Sequence, residues 1–261
     1  MCYDISFTVG IKELSEYFPD LVTDDQLSFD FEGTHIVAHD HGFHPILYKP
    51  RGDDRVHCRL MEWGCIPYYV KDEKQYSRQR ASMLNARSER ILTDENSYWF
   101  KIRNRRCLVP VSGVYEHRAI KGWKKKVPYF IRLNGQPLFF IPGLYSVAEL
   151  PDLSTGEMLK RWTYTLITRN ANEVMMKIHN SGENRGRMSL FVPVNLAQSW
   201  LDHNLSESRY KEILNYEMPS DAMNYHPVFT IRSQKPRPDS EAKNVYWEWE
   251  KLPILGTMDP D

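Results

Sequence analysis

The sequence predicts an α+β fold, a curved and mainly antiparallel β core with flanking short helices. Three observations lead there: apolar or β-branched runs of strand length recur, the helical patterns between them are short, and no βαβ rhythm links them. Residues 107–111, 163–168 and 228–231 have strand composition. Residues 129–133 and 137–140 flank Asn134-Gly135, the dipeptide best suited to the two positive φ values of a type I′ turn, and so predict a hairpin. A helix over residues 170–178 follows from its polar start, Glu173 in the first turn and the stop signal Asn180-Ser181-Gly182. Residues 196–201 form a second helical pattern.

No repeat and no Pro/Gly/Ser-rich linker divides the 261 residues, which predicts a single domain over 1–261. From about residue 232, around Lys235-Pro236-Arg237-Pro238-Asp239, an extended surface tail is expected. The composition, 41% hydrophobic, 26% charged and 13% aromatic, excludes a disordered or fibrous chain. No apolar run approaches the roughly 18 residues of a membrane span. Met-Cys-Tyr-Asp-Ile-Ser has neither the basic nor the apolar region of a secretion signal, so a cytoplasmic location is expected, nucleoid-associated in a bacterium or nuclear in a eukaryote. Cys2, Cys58, Cys65 and Cys107 are irregularly spaced, as free thiols of a reducing compartment would be.

The formal net charge is zero, yet the charges are segregated. Residues 1–31 carry seven acids and one base, whereas residues 101–126 carry nine bases and a single acid, Glu116. Arg87, Arg90, Arg103, Arg105 and Arg106, with Lys121 and Lys124 to Lys126, could line a groove for a phosphate backbone, and Trp99 and Trp123 lie among them. Cations interleaved with flat rings suit single strands, since charge follows phosphates and rings stack on unpaired bases. A solvated charged face with core tryptophans is the alternative.

Removal of Met1 would leave Cys2 with a free α-amine beside its thiol, a pair that no other position offers. An α-amine titrates near ~7.7–8.0, so part of it is neutral and nucleophilic at pH 7, unlike a lysine amine near ~10.4. It can form a Schiff base with an aldehyde. Closure of the thiol onto the imine carbon then makes a thiazolidine, favoured by the high effective molarity of an intramolecular step. The plain alternative is that Cys2 is only a small second residue. His35, His39, His41 and His44 raise the question of a metal, but no recognised ligand spacing supports one, and neither metal nor cofactor is expected.

Met1-Cys2, Trp63-Gly64-Cys65-Ile66-Pro67, Asn85-Ala86-Arg87-Ser88-Glu89, Arg106-Cys107-Leu108-Val109-Pro110, Gly113-Val114-Tyr115-Glu116, Ala171-Asn172 leading to His179, and Tyr225-His226-Pro227-Val228 occur in one order. In that order and spacing they resemble the SOS-response-associated peptidase (SRAP) family across nearly the whole chain. The resemblance implies an SRAP-like fold and a DNA-damage-response function. The protein would bind single-stranded DNA containing abasic sites and crosslink the abasic aldehyde to Cys2 as a thiazolidine, through lyase-like Schiff base chemistry. Peptidase activity would be limited to removal of Met1. It implies Cys2 as nucleophile, Asn85 and Glu116 beside its amine, and His179 facing the sugar oxygen. Glu116 would move protons during imine formation, His179 would donate to the ring oxygen, and Asn85 would hold the Cys2 backbone or an oxyanion. Arg87, Arg106, Trp63, Trp123, Lys124 and Arg187 are the expected DNA contacts. No membrane is expected as a partner, and the protein is expected to be a monomer.

Three departures from the family pattern stand out. Tyr3-Asp4 replace the usual Gly-Arg, His117 replaces the usual Trp, and residues 180–186 separate His179 from Arg187-Met188. Two other functions stay open at this level: an N-terminal-nucleophile amidohydrolase, whose usual Gly-Ile opening Tyr3-Asp4 do not match, and a non-covalent single-strand DNA-binding protein.

Overall fold

The structure, a computed structural model, describes residues 2–24, 33–152, 154–233 and 236–260. In chain order the first half contains β1 (Asp4–Phe7), α1 (Leu14–Tyr17), β2 (Val22–Thr23), β3 (Gly33–Val37), β4 (Phe43–Tyr48), β5 (His57–Trp63), α2 (Glu73–Arg80), β6 (Asn85–Arg87), α3 (Ser88–Leu92) and α4 (Tyr98–Lys101). There follow β7 (Arg106–Val111), β8 (Gly113–Arg118), β9 (Val127–Leu133), β10 (Phe139–Pro151), β11 (Met158–Asn170), α5 (Glu173–Ile178), β12 (Arg187–Ser189), α6 (Val194–Trp200), α7 (Glu207–Asn215) and β13 (Met223–Pro227).

One sheet runs β13-β9-β8-β1-β3, and the other β12-β11-β10-β7-β4-β5-β2, with β6 added to β11. The long strands β10 and β11 pair antiparallel from Gly143↔Leu166 to Pro151↔Met158. β11 also pairs in parallel with β5, at Thr163↔Glu62 and Tyr164↔Trp63, which curls β11-β10-β7-β4-β5 into a closed, barrel-like core. Gly143 permits this closure locally, because a Cβ there would sit 2.6 Å from the Thr165 carbonyl. The curved, largely antiparallel β core and short helices are those the sequence predicts.

Local expectations fared unevenly. α5 forms as predicted, capped by Asn172, whose side chain accepts from the Met175 N–H at 3.0 Å. The strands β7 and β11 also form, β11 extending well beyond its predicted core. The Asn134-Gly135 hairpin requires correction: β9 and β10 do not pair, and the turn instead passes the chain from one sheet to the other. Only Gly135 has positive φ there, so the turn is not type I′. Asn134 is held by the second half of the chain, its N–H on the Ala222 carbonyl at 2.9 Å and its amide on the Asp221 carbonyl at 2.7 Å. The strand expected at 228–231 lies earlier, at β13, leaving Val228 in a single bridge to Tyr246.

The tail also departs from expectation. Lys235 lies outside the described residues, but Arg237 is buried, donating to the Val245 and Tyr246 carbonyls at 2.6 and 2.7 Å. Arg118, fully buried on β8, donates to the carbonyls of Pro253, Ile254 and Thr257. Residues 236–260 are irregular yet docked, because they supply carbonyl acceptors that two buried guanidiniums require.

Candidate active site

The strand β1 begins two residues after Cys2 and is buried along its whole length, between β8 and β3. Cys2 is thereby drawn into the main apolar core at 0% exposure. The register Ile5↔Val114, extended two places, sets Glu116 across from Tyr3. Asn85 opens β6, and its Nδ2 donates to the Cys2 carbonyl at 2.9 Å. The Cys2 thiol donates to the Asp4 carbonyl at 3.5 Å, and Ser189 at the end of β12 lies near enough to pull the thiol's pKa down. Position 2 is thus held through its carbonyl by β6 and through its thiol by the start of β1.

His179 ends α5, and its Nδ1 lies 2.8 Å from the Arg187 carbonyl. A carbonyl only accepts, so Nδ1 carries the hydrogen and Nε2 is the nitrogen that titrates. Loop 180–186 folds back over itself rather than displacing this histidine: the Gly186 N–H returns to the His179 carbonyl at 3.0 Å. Asn180 meanwhile bonds both the N–H and the carbonyl of Ala119, each at 2.9 Å.

Glu116 and His179 line one cavity of about 360 Å³, together with Tyr3, His117, Lys126 and Arg232. Cys2 and Asn85 are buried and do not line it. Burial pushes the Glu116 carboxyl up to about 8, with the chain's positive amino terminus pulling the other way. Burial pulls His179 down to about 4, and the amino terminus adds to that. Burial, then the charge of Glu116, raises the Cys2 thiol to about 12. At neutral pH the cavity therefore offers a protonated carboxyl as donor, a neutral imidazole as acceptor and a nearby un-ionised thiol, the reverse of the carboxyl's ordinary state. Among the described residues Glu116 Oε1 and Asn85 Oδ1 are buried with no hydrogen-bond partner, as expected of groups held ready for a reacting molecule.

The residues expected to touch DNA divide in two. Arg87 is exposed and its Nη2 donates to Asn184, a residue of the cavity wall, at 3.3 Å. Lys124 is exposed, and Trp123 is half-buried with its ring 6.3 Å from that of Trp249. Three others require correction. Trp63 is fully buried, stacked on Tyr164 and donating to the Leu84 carbonyl at 2.9 Å, so no base can reach it. Arg106 is buried with Nε and Nη2 on the Trp200 and Asp202 carbonyls at 2.8 and 2.6 Å. Arg187 is buried against Glu89, Asn170 and Thr168. Each braces the interior, because a buried guanidinium or indole N–H must find acceptors.

Sequence reasoning missed Asp4, Arg232 and Ser189. Asp4 is 2% exposed and holds Arg232 through two hydrogen bonds, at 3.1 and 2.6 Å, and His35 at 2.8 Å. The acid that replaces the family's usual arginine therefore brings another arginine to the cavity wall. A carboxylate inside the apolar pattern Ile5-Ser6-Phe7 was the available signal, since such a group is seldom buried unpaired. The other histidines are engaged separately, His41 on the Trp63 carbonyl and His44 on the Pro110 carbonyl, each at 2.8 Å. Among the described residues no group of three His, Cys, Asp or Glu could hold a metal ion.

Comparison with known proteins bears on this site. The abasic site processing protein YoqW of Bacillus subtilis (strain 168) is 30% identical over 171 residues, 66% of this chain and 69% of that protein. The abasic site processing protein HMCES of Gallus gallus is 28% identical over 190 residues, and the match spans 66% of this chain but only 52% of that protein. A crystal structure of a protein from Bacteroides thetaiotaomicron shares the fold at a TM-score of 0.72 and 23% identity, over 94% of this chain and 97% of that one. The family model described as SOS response associated peptidase (SRAP) matches residues 1–231. The chain belongs to the SRAP family.

Proposed function

We propose that this protein processes abasic sites in single-stranded DNA by a covalent thiazolidine crosslink to Cys2, once removal of Met1 frees the Cys2 amine. The observation that carries this reading is the arrangement around position 2. Its carbonyl is clamped by Asn85, its thiol is buried beside Glu116, and the raised carboxyl of Glu116 faces the lowered imidazole of His179 across one cavity. Relatives named abasic site processing proteins support the substrate class.

The chemistry balances with these groups alone. Neutral His179 Nε2 takes the hydroxyl proton of the closed sugar and passes that proton to the ring oxygen as the ring C–O bond breaks, giving the aldehyde and leaving His179 neutral again. His179 thus starts as an acceptor and donates only the proton it has taken, because burial lowers its imidazole to about 4. The Cys2 amine adds to the aldehyde carbon, and the Glu116 carboxyl protonates the resulting hydroxyl, which leaves as water. The thiol then adds to the iminium carbon, and its proton returns to the Glu116 carboxylate. The net change is amine, thiol and aldehyde to thiazolidine and water.

Lys126 and Arg232 on the cavity wall, with Arg87 and Lys124 nearby, are the cations proposed to meet phosphates. The only proteolysis this reading includes is loss of Met1. Its test is incubation of wild type and Cys2→Ala with an abasic oligonucleotide, followed by a denaturing gel and intact mass. A heat-stable adduct whose mass equals the sum of its parts less one water is expected for wild type alone. The same adduct from Cys2→Ala overturns the reading, and glutamine hydrolysis without DNA would favour an amidohydrolase.

A further inference from the structure

The cavity at Glu116 is not the largest concavity that carries charge. A groove of about 700 Å³ runs past Lys49, Arg51, Arg105, Tyr145 and Trp162, with the largely buried Arg106 in its lining but committed to the Trp200 and Asp202 carbonyls, and it shares no lining residue with the Glu116 cavity. Among the described residues no acidic side chain lines it. Among the described residues Lys49, Arg51 and Arg105 form no ion pair, whereas Arg55, Arg59 and Arg103 each hold a carboxylate. Three like charges left together without counter-charges repel one another, and a polyanion would relieve that repulsion.

Flat rings accompany these cations. Tyr145 and Trp162 stack at 5.9 Å with planes 19° apart in the groove wall. Arg105 also lies over the Tyr68 ring, 5.4 Å from its centroid, and so joins the groove to an aromatic shelf. Tyr68 and Tyr69 on that shelf are 47% and 60% exposed, unusually open for large rings. Guanidinium and ammonium groups followed by accessible tyrosines fit a chain of phosphates bearing unpaired bases, and fit neither an apolar partner nor a duplex with its bases stacked inside.

We infer that Lys49, Arg51 and Arg105, continued by Tyr68 and Tyr69, form a second track for single-stranded DNA, separate from the Glu116 cavity. Phosphates lie along the three cations and bases stack on the two tyrosines. The inference rests on the reading that the protein acts on single strands, but it requires no abasic site.

The test uses an undamaged single strand of about 30 nucleotides, longer than the roughly 4–16 that one groove tracks, with binding measured over a range of salt. Single-strand affinity falls with salt at about 0.7 log units per phosphate contact, so K49S/R51S/R105S should flatten the log–log slope by about 2. Y68A/Y69A should leave that slope intact and weaken binding at least fivefold, since each stacked base is worth ~1–3 kcal/mol. Arg51, Tyr68 and Tyr69 are exposed and Lys49 and Arg105 half-buried, and matching thermal midpoints would establish that both variants fold. A wild-type slope in the charge variant overturns the track. Unchanged affinity in the tyrosine variant overturns its single-strand character, and so does an equal loss on duplex DNA of the same sequence. Wild-type crosslinking to an abasic oligonucleotide is scored separately, so failure of the Cys2 chemistry is distinguishable from failure of the groove.

Discussion

Replacing Glu116 with Gln should slow crosslinking and, at the same time, stabilise the fold at neutral pH. Glu116 is 6% exposed, and its carboxyl is raised from 4.5 to about 8 by burial. An acid raised in the folded state keeps its proton after the unfolded chain has lost its own. Its contribution to stability is therefore fully present below about pH 4.5 and is lost as pH rises toward about 8. Between pH 4.5 and 7 the loss accumulates at about 1.4 kcal/mol per pH unit, reaching about 3 kcal/mol by pH 7. Glutamine does not titrate and escapes this loss. Melting curves of wild type and Glu116→Gln should differ by a constant near pH 4.5, and the gap should then widen in favour of the variant. For a chain of this size, 3 kcal/mol corresponds to about 6–10 °C in Tm. Parallel stability curves across pH 4.5–8 would refute a raised carboxyl at position 116 and, with it, the assignment of Glu116 as the neutral-pH donor.

The remaining predictions concern the site and its surroundings. Single-turnover crosslinking should be fastest between about pH 4, where His179 becomes protonated and ceases to accept, and about pH 8, where Glu116 loses its proton. Loss of a positioned acid or base typically costs ~10²–10⁴ in rate, so His179→Ala should slow a natural abasic site by that order and an acyclic aldehyde far less; equal slowing of both would remove the ring-opening role. Arg106→Ala should lower the denaturation midpoint while leaving the salt dependence of DNA binding unchanged, because two buried carbonyls lose their donor at ~1–3 kcal/mol each. Arg87→Ser should do the opposite, and a reduced salt slope in Arg106→Ala would return that arginine to the DNA surface.

Much of the fold was legible because it depends on local pattern. The run at β7 and the Asn172 cap of α5 each announce themselves within a few residues. The Asn134-Gly135 turn misled because a dipeptide states a bend and not a partner, and the strands it joins belong to different sheets. The site residues stood out through their order along the chain, yet their electrostatic states did not, since burial created by distant segments sets those. Asp4 meets Arg232 across 228 residues, and no local signal gives that distance. Arg106 and Arg187 looked like surface cations for the same reason. Their acceptors, the Trp200, Asp202 and Thr168 carbonyls, are backbone atoms that any residue supplies.

The docking of the tail through Arg118 bears on where the folded unit ends. The family match stops at residue 231, but the guanidinium on β8, 0% exposed, takes its acceptors from Pro253, Ile254 and Thr257. The tail's Asp259 also accepts from Asn180 at 3.0 Å, and Asn180 directly follows His179. Evolutionary boundary and mechanical boundary therefore do not coincide: a fragment cut at the former would keep Glu116 and His179 and lose the clasp beneath them. The last stretch of chain acts as a keystone for the wall on which His179 stands.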